Sequence, residues 1–143
     1  MSTAVLYTPD VLGLAVDLAR FPLIDDLPLR AEARSKSCGS TVVLGLETAA
    51  DGTIARMGVR SQACAIGQAA AAIFMQGAAG RNGPAIHAAG RAIAAWLAGE
   101  ADMPAWPGLS IIAAARDYPA RHGAVMLPWN AAMQVLPSGE TDV

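Results

Sequence analysis

Residues 29–60 read LRAEARSKSCGSTVVLGLETAADGTIARMGVR, and this stretch decides the fold. From Leu29 to Ser37, small or apolar residues alternate with charged ones, which is the pattern of a strand covered on one face only. Thr41–Thr48 is rich in β-branched residues and predicts a second strand. Asp51-Gly52 then predicts a hairpin turn into a third strand, Thr53–Arg60. Because the connections are short, we expect an antiparallel meander.

The same alternation assigns the two faces of the sheet. In the third strand, Ala55, Met57 and Val59 are expected on the apolar face, opposite Arg56 and Arg60. The charged face of the first strand adds further basic residues, namely Arg30, Arg34 and Lys36. One face of the sheet is therefore expected to be basic, and it is either solvated or a docking surface for an acidic partner.

Helical patterns lie on both sides of the meander. Pro9–Arg20 repeats apolar residues at helical spacing. After Cys64, apolar periodicity and breaker residues predict helices over Ala65–Gly77, Pro84–Ala98 and Leu109–Arg116, and a last one near Arg121–Leu136 opened by Pro119. The predicted class is α+β, with an N-terminal helix, a three-stranded antiparallel meander and C-terminal helices packed on one sheet face. We expect one domain over residues 1–143.

Composition excludes several classes of protein. The chain has 143 residues, of which 32 are alanine, and it is 54% hydrophobic and only 15% charged. Such a chain can bury a core and is not disordered, and it has neither the glycine period of collagen nor the cysteines of a disulfide scaffold. The net charge of −2 offers no overall basic field for nucleic acid and no polybasic run for anionic lipid.

The expected location is the cytoplasm. The N-terminus has no basic region ahead of an apolar run, so it does not resemble a signal peptide. Ser61–Gly80 lacks charge, but its glutamines and its many alanines and glycines favour a buried helix over a membrane span. In a reducing compartment, the two cysteines are expected as metal ligands, reactive thiols or core residues rather than as a disulfide.

The meander brings the two cysteines to one end of the sheet. Cys38 follows the first strand and Cys64 follows the third, and these two strands run in the same direction. Cys64 also begins a helix, where backbone N–H groups stabilise a thiolate. The order of strands therefore predicts a soft-metal or sulfur site. The alternative is that both cysteines are core residues, since cysteine is among the residue types most often buried.

These features resemble the U-type iron–sulfur cluster scaffold family: IscU, SufU and the N-terminal domain of NifU. Ser37-Cys38-Gly39-Ser40 is similar to the family's first cysteine motif, and Ala63-Cys64-Ala65-Ile66 to its second. Tyr118-Pro119-Ala120-Arg121, followed by Leu127 and Trp129, resembles the SufU-type segment that leads to a third cysteine. The resemblance covers nearly the whole chain and implies binding of an iron–sulfur cluster or iron, with zinc as another possible metal.

The chain departs from the family at its remaining ligands. The third cysteine falls at Ala124, and the acidic residue of the first motif is replaced by Ser40. Two thiolates do not complete a cluster or a tetrahedral zinc site, each of which takes four ligands. A homodimer would supply four thiolates, and His122, two positions before Ala124, is a weaker candidate for a replacement donor.

Three functions remain open at this point. The first is a scaffold or iron/sulfur carrier, rather than a catalyst, with Cys38 and Cys64 as ligands or persulfide acceptors. The second is a SufU-like sulfurtransferase that accepts sulfur from a cysteine desulfurase. The third is a binding module that has lost its metal. The resemblance implies a desulfurase and recipient apoproteins as partners.

Overall fold

A computed structural model of the protein describes residues 7–36 and 39–139. Cys38 and its neighbour Ser37 therefore lie outside the described residues. The strands are β1 (Leu29–Arg34), β2 (Thr41–Thr48) and β3 (Ile54–Gln62). The helices are α1 (Pro9–Asp17), α2 (Ala65–Ala78), α3 (Gly83–Leu97) and α4 (Pro119–Val135). Two 3-10 helices, Leu18–Arg20 and Leu109–Asp117, complete the described elements.

The three strands form the predicted antiparallel meander, in the order β1-β2-β3. β2 has the bounds expected from its β-branched residues. β1 ends at Arg34, earlier than its alternation suggested, because the chain turns at once. The N–H of Ser35 donates to the carbonyl of Ser40 at 2.8 Å, and the N–H of Gly39 donates to the carbonyl of Ser35 at 3.0 Å.

A bulge near the hairpin changes which residues of β3 face the core. Arg56 pairs with Glu47, but Ile54 already pairs with Thr48, so Ala55 has no partner of its own in the ladder. Ile54 is consequently buried and Ala55 is exposed. The expectation that Ala55 shares the apolar face was wrong, because strict alternation does not anticipate an extra residue.

The helices pack on one face of the sheet around α2, which confirms the predicted α+β class. The alanine-rich middle of α2, residues 69–75, is buried throughout. α2 packs against α1, β3 and α4, and α4 also contacts β1 and β2. Within the described ranges no helix is both long and apolar enough to cross a membrane. The apolar run after Ser61 contains α2, whose buried middle agrees with the expected buried helix.

The opposite face of the sheet is covered over half its length. The segment after α1 crosses this outer face, where Leu23 and Leu27 lie over Gly45. A Cβ added at Gly58 would lie 2.2 Å from the carbonyl oxygen of Pro22, so only glycine fits beneath the segment there. The half of the outer face nearer to Thr41 is not covered by any segment of the described residues.

Candidate functional site

One end of the sheet gathers the junctions that hold both cysteine motifs. Thr41 begins β2 and pairs with Arg34 on one side and Gln62 on the other. The β1–β2 turn therefore lies beside the end of β3, and Cys64 follows Gln62 by two residues. The expected convergence of these two junctions is confirmed.

Cys64 occupies the N-cap position of α2. Its backbone is extended, and its carbonyl accepts the N–H of Gln68 at 3.0 Å, which begins the helix. The side-chain amide of Gln68 donates to the carbonyl of Ala63 at 3.0 Å and holds the junction in place. The Cys64 side chain makes no capping hydrogen bond, and its free thiol is half-buried. The thiol therefore remains available beside the N–H groups of the first turn.

Cys38 is the other predicted thiolate, and its position lies outside the described residues. Its described neighbours Lys36 and Gly39 belong to the turn closed by Ser35 and Ser40. Gly39 has a φ of +71°, a left-handed conformation that glycine adopts without strain. Ser40, at the position where the resemblance implies an acidic residue, is buried. The separation of Cys38 and Cys64 remains a prediction.

The start of α4 approaches the first turn of α2. A Cβ added at Gly67 would lie 3.4 Å from the Cβ of Ala124 and 2.7 Å from the Cβ of Ala63. Gly67 is one helical turn beyond Cys64, so Ala124 lies close to the cysteine-bearing end of α2. The SufU-type segment pointed to position 124, but the sequence analysis did not single out Gly67. A glycine three residues after the cysteine that begins a helix is the signal that could have indicated close packing at this point.

His122 lies on a different side of α4 from Ala124, since two residues turn a helix by about 200°. Its Nε2 is 2.8 Å from the carbonyl oxygen of Arg116, and because a carbonyl oxygen only accepts, Nε2 donates this hydrogen bond. The imidazole lines an open cavity of about 270 Å³ between α3 and α4, together with Leu97 and Met126. The structure therefore brings Ala124, but not His122, against α2.

Another polar group near this end was not anticipated. The Oγ of Ser61, three residues before Cys64, is buried and has no hydrogen-bond partner. In the part of the chain that the structure describes, no three His, Cys, Asp or Glu side chains form a group that could hold a metal ion. A metal bound at Cys64 would therefore need ligands beyond these residues.

Comparison with known proteins agrees with this architecture. The N-terminal part of a NifU-like nitrogen-fixing protein from Brucella abortus is 26% identical, with 92% of each chain covered and a TM-score of 0.84. A protein from Fervidobacterium islandicum AW-1, described as an iron–sulfur cluster assembly scaffold for the SUF system, is 20% identical. It covers 95% of this chain and all of its own, with a TM-score of 0.84.

No family model and no curated protein matches the sequence. The likeness in structure nevertheless runs along almost the whole chain. It confirms the resemblance that those motifs indicated. The chain therefore has the fold of these NifU-like and SufU structures, and this likeness supports its resemblance to the U-type iron–sulfur cluster scaffold family.

Proposed function

We propose that this protein is a scaffold or carrier for iron–sulfur assembly that holds iron, a cluster or a persulfide through Cys38 and Cys64. The observation that carries the proposal is the convergence of the β1–β2 turn and the β3–α2 junction, through the pairing of Thr41 with Arg34 and Gln62. The free thiol of Cys64 at the start of α2 supports it.

The remaining ligands come, in this proposal, from a second copy of the chain. A [2Fe–2S] cluster takes four ligands, and two copies supply four thiolates. His122 is the weaker candidate, because its Nε2 bonds the carbonyl of Arg116 and its ring lies against α3. A zinc ion would need the same four donors.

A sulfur-carrier role needs fewer ligands and is the second candidate, supported by the unengaged thiol of Cys64. A Cys64 thiolate would attack the outer sulfur of a persulfide on a cysteine desulfurase. The S–S bond of the donor breaks and the donor leaves as a thiolate, so the sulfur arrives as a persulfide on this chain. Recipient apoproteins are the expected acceptors in either role.

Metal and sulfide analysis tests the first role directly. The full chain is purified without oxygen and reconstituted with ferrous iron and sulfide, and protein-bound iron and acid-labile sulfide are measured beside the oligomeric state. We expect both elements to be bound and the cluster-loaded form to be a dimer. Cys38→Ser and Cys64→Ser should each lose most of the bound cluster, whereas His87→Ala, remote on α3, should keep it.

One result would contradict the scaffold role. If the parent protein binds no more iron and sulfide than the Cys38→Ser/Cys64→Ser double variant, the thiols are not ligands. Stimulation of a cysteine desulfurase by the parent, lost in Cys64→Ser, would then favour the sulfur carrier. Absence of both activities would leave a binding module without metal.

A further inference from the structure

The uncovered half of the outer sheet face has a distinct charge pattern. Its centre is formed by Thr41 and Val43, which are both partly exposed. Exposed charged and polar side chains surround this centre: Arg34 and Lys36 from the β1 side and Arg60 and Gln62 from β3. We call these six residues the basic sheet end.

The cations of the basic sheet end differ from the other arginines of the same face. Arg56 is engaged by Glu47 and by Asp26, the latter at 3.2 Å, and these contacts raise its pKa. Arg30 donates to the carbonyl of Ile24 at 2.8 Å. The described contacts of Arg34, Lys36 and Arg60 include no ion pair. Three exposed cations therefore stand together on a chain whose net charge is −2.

The uncovered half of the outer face carries charges of both signs, and this distribution favours one class of binding partner over the others. Glu32 is exposed and pairs with Val43, which pairs in turn with Arg60, so an acidic group lies on the same face. Strands are about 4.8 Å apart, so Arg34 and Arg60 stand on outer strands separated by about 10 Å. A nucleic acid or anionic membrane presents negative charge throughout and would be repelled at Glu32. A protein surface can match both signs.

The basic sheet end also adjoins the two cysteine motifs. Lys36 and Arg34 precede Cys38 in the chain, and Gln62 precedes Cys64. A protein bound on this face would lie beside the end of the sheet where the thiols converge. Its position therefore suits a partner that must approach the cysteines, although binding itself requires neither metal nor sulfur.

We propose that the basic sheet end is a docking surface for an acidic surface of a partner protein. The carboxylates of the partner contact Arg34, Lys36 and Arg60 across the strands, and Thr41 and Val43 supply the flat centre of the interface. Charges at the rim of such an interface mainly accelerate association, so the interaction weakens as salt is added.

A labelled peptide of mixed sign, in which several glutamates accompany a single lysine that can face Glu32, serves as the probe, and its binding to the full chain is followed by fluorescence anisotropy at low and high salt. The Arg34→Glu/Arg60→Glu variant should bind the peptide about tenfold more weakly than the parent. The control is Arg20→Glu/Arg91→Glu, which changes net charge equally at exposed positions outside the sheet. It should bind within about twofold of the parent.

Further measurements separate the alternatives. Thermal unfolding checks that both double variants fold, and Cys38→Ser/Cys64→Ser should bind the peptide like the parent, so loss of the thiol chemistry leaves this test intact. Equal weakening in both reversal variants, or no binding by the parent, overturns the proposal. Tighter binding of single-stranded DNA or of anionic vesicles than of the peptide, lost in Arg34→Glu/Arg60→Glu, also overturns it in favour of those partners.

Discussion

Ala124 on α4 packs beside Gly67 on α2, close enough that a Cβ at position 67 would lie 3.4 Å from the Cβ of Ala124. Both residues are buried. The contact fixes the start of α4 against the first turn of the helix that Cys64 begins. Position 124, where the resemblance implies a third cysteine, therefore lies against the cysteine-bearing end of α2.

This contact predicts that Ala124→Cys restores a third thiolate. Alanine and cysteine differ by one sulfur atom, so the variant is expected to fold with a modest cost from tighter packing. After reconstitution with iron and sulfide under anaerobic conditions, Ala124→Cys should hold more cluster per chain than the parent. Iron and acid-labile sulfide analysis, with the visible absorption spectrum, checks this.

Ala88→Cys is the matched control, because position 88 is exposed on α3. It adds the same thiol away from the proposed site and should gain no cluster. Equal gains in the two variants would mean that added thiols bind iron nonspecifically. If Ala124→Cys gains nothing and His122→Ala loses nothing, this end of the protein does not hold metal.

Gly67→Ala should destabilise the protein. Its new methyl group would lie 2.7 Å from the Cβ of Ala63, which cannot rotate away. The overpacking cost exceeds the gain of about 1 kcal/mol in helix propensity, so we expect a net loss of about 1–2 kcal/mol in the free energy of unfolding. Chemical denaturation of the parent and the variant measures it.

Gly13→Ala provides the opposite case on α1. Nothing lies within 4 Å of a Cβ added at Gly13, and the position is exposed. Helix propensity then acts alone, and this variant should be more stable than the parent by about 0.5–1 kcal/mol. A similar response of the two glycines would mean that α2 and α4 are less closely packed than the structure indicates.

The sequence predicted the elements of the fold because their signals are local. Alternation in β1, β-branched residues in β2 and the Asp51-Gly52 turn each depend on neighbouring residues. The bulge at Ala55 depends instead on how β3 is paired with β2, which no local pattern states. The packing of Leu27 over Gly45 is likewise absent from any local pattern, because the two residues belong to segments that are separate in the chain.

For the candidate site, the sequence predicted which strand ends meet but not the orientations of the side chains there. Counting chain reversals brings the junctions of Cys38 and Cys64 together, and the pairing of Thr41 with Gln62 agrees. The direction of His122 required the structure, since it depends on the rotation of α4 about its own axis. Its hydrogen bond to the carbonyl of Arg116 has no signature in the sequence.

The hairpin predicts a pH dependence of stability. One Asp51 carboxylate oxygen accepts the hydroxyl of Thr53 at 2.6 Å and its N–H at 3.0 Å. The Thr53 hydroxyl, followed by its backbone N–H, lowers the pKa of Asp51 from its usual value. A carboxyl whose pKa is lower in the folded state stabilises the fold above its unfolded pKa, and this contribution is lost as pH falls.

Asp51→Asn should therefore lower the unfolding temperature at neutral pH. The difference from the parent should shrink as the pH is lowered through about 4, where the unfolded carboxyl takes up its proton. Asp102→Asn, at an exposed position after α3, is the control for the general effect of removing one charge. A difference between Asp51→Asn and the parent that stays constant with pH would contradict the role of the carboxylate.

The last prediction concerns the order in which the thiols react. Cys64 stands at the N-cap of α2 without a capping bond, and its free, half-buried thiol lies beside the N–H groups of the first turn. The sequence predicts that Cys38 follows a strand and begins no helix. Cys64 should therefore be alkylated faster than Cys38 at neutral pH, as followed by mass spectrometry of the iodoacetamide-treated protein over time.

Cys38→Ser and Cys64→Ser each leave one thiol, so they report the two rates separately. The rate for Cys64 should be the same in the parent and in Cys38→Ser if the helix start alone sets it. A slower rate in Cys38→Ser would mean instead that the two side chains influence one another, as neighbours at one site would. Labelling of Cys64 only after denaturation would identify it as a core residue, and the proposed thiolate site would then be wrong.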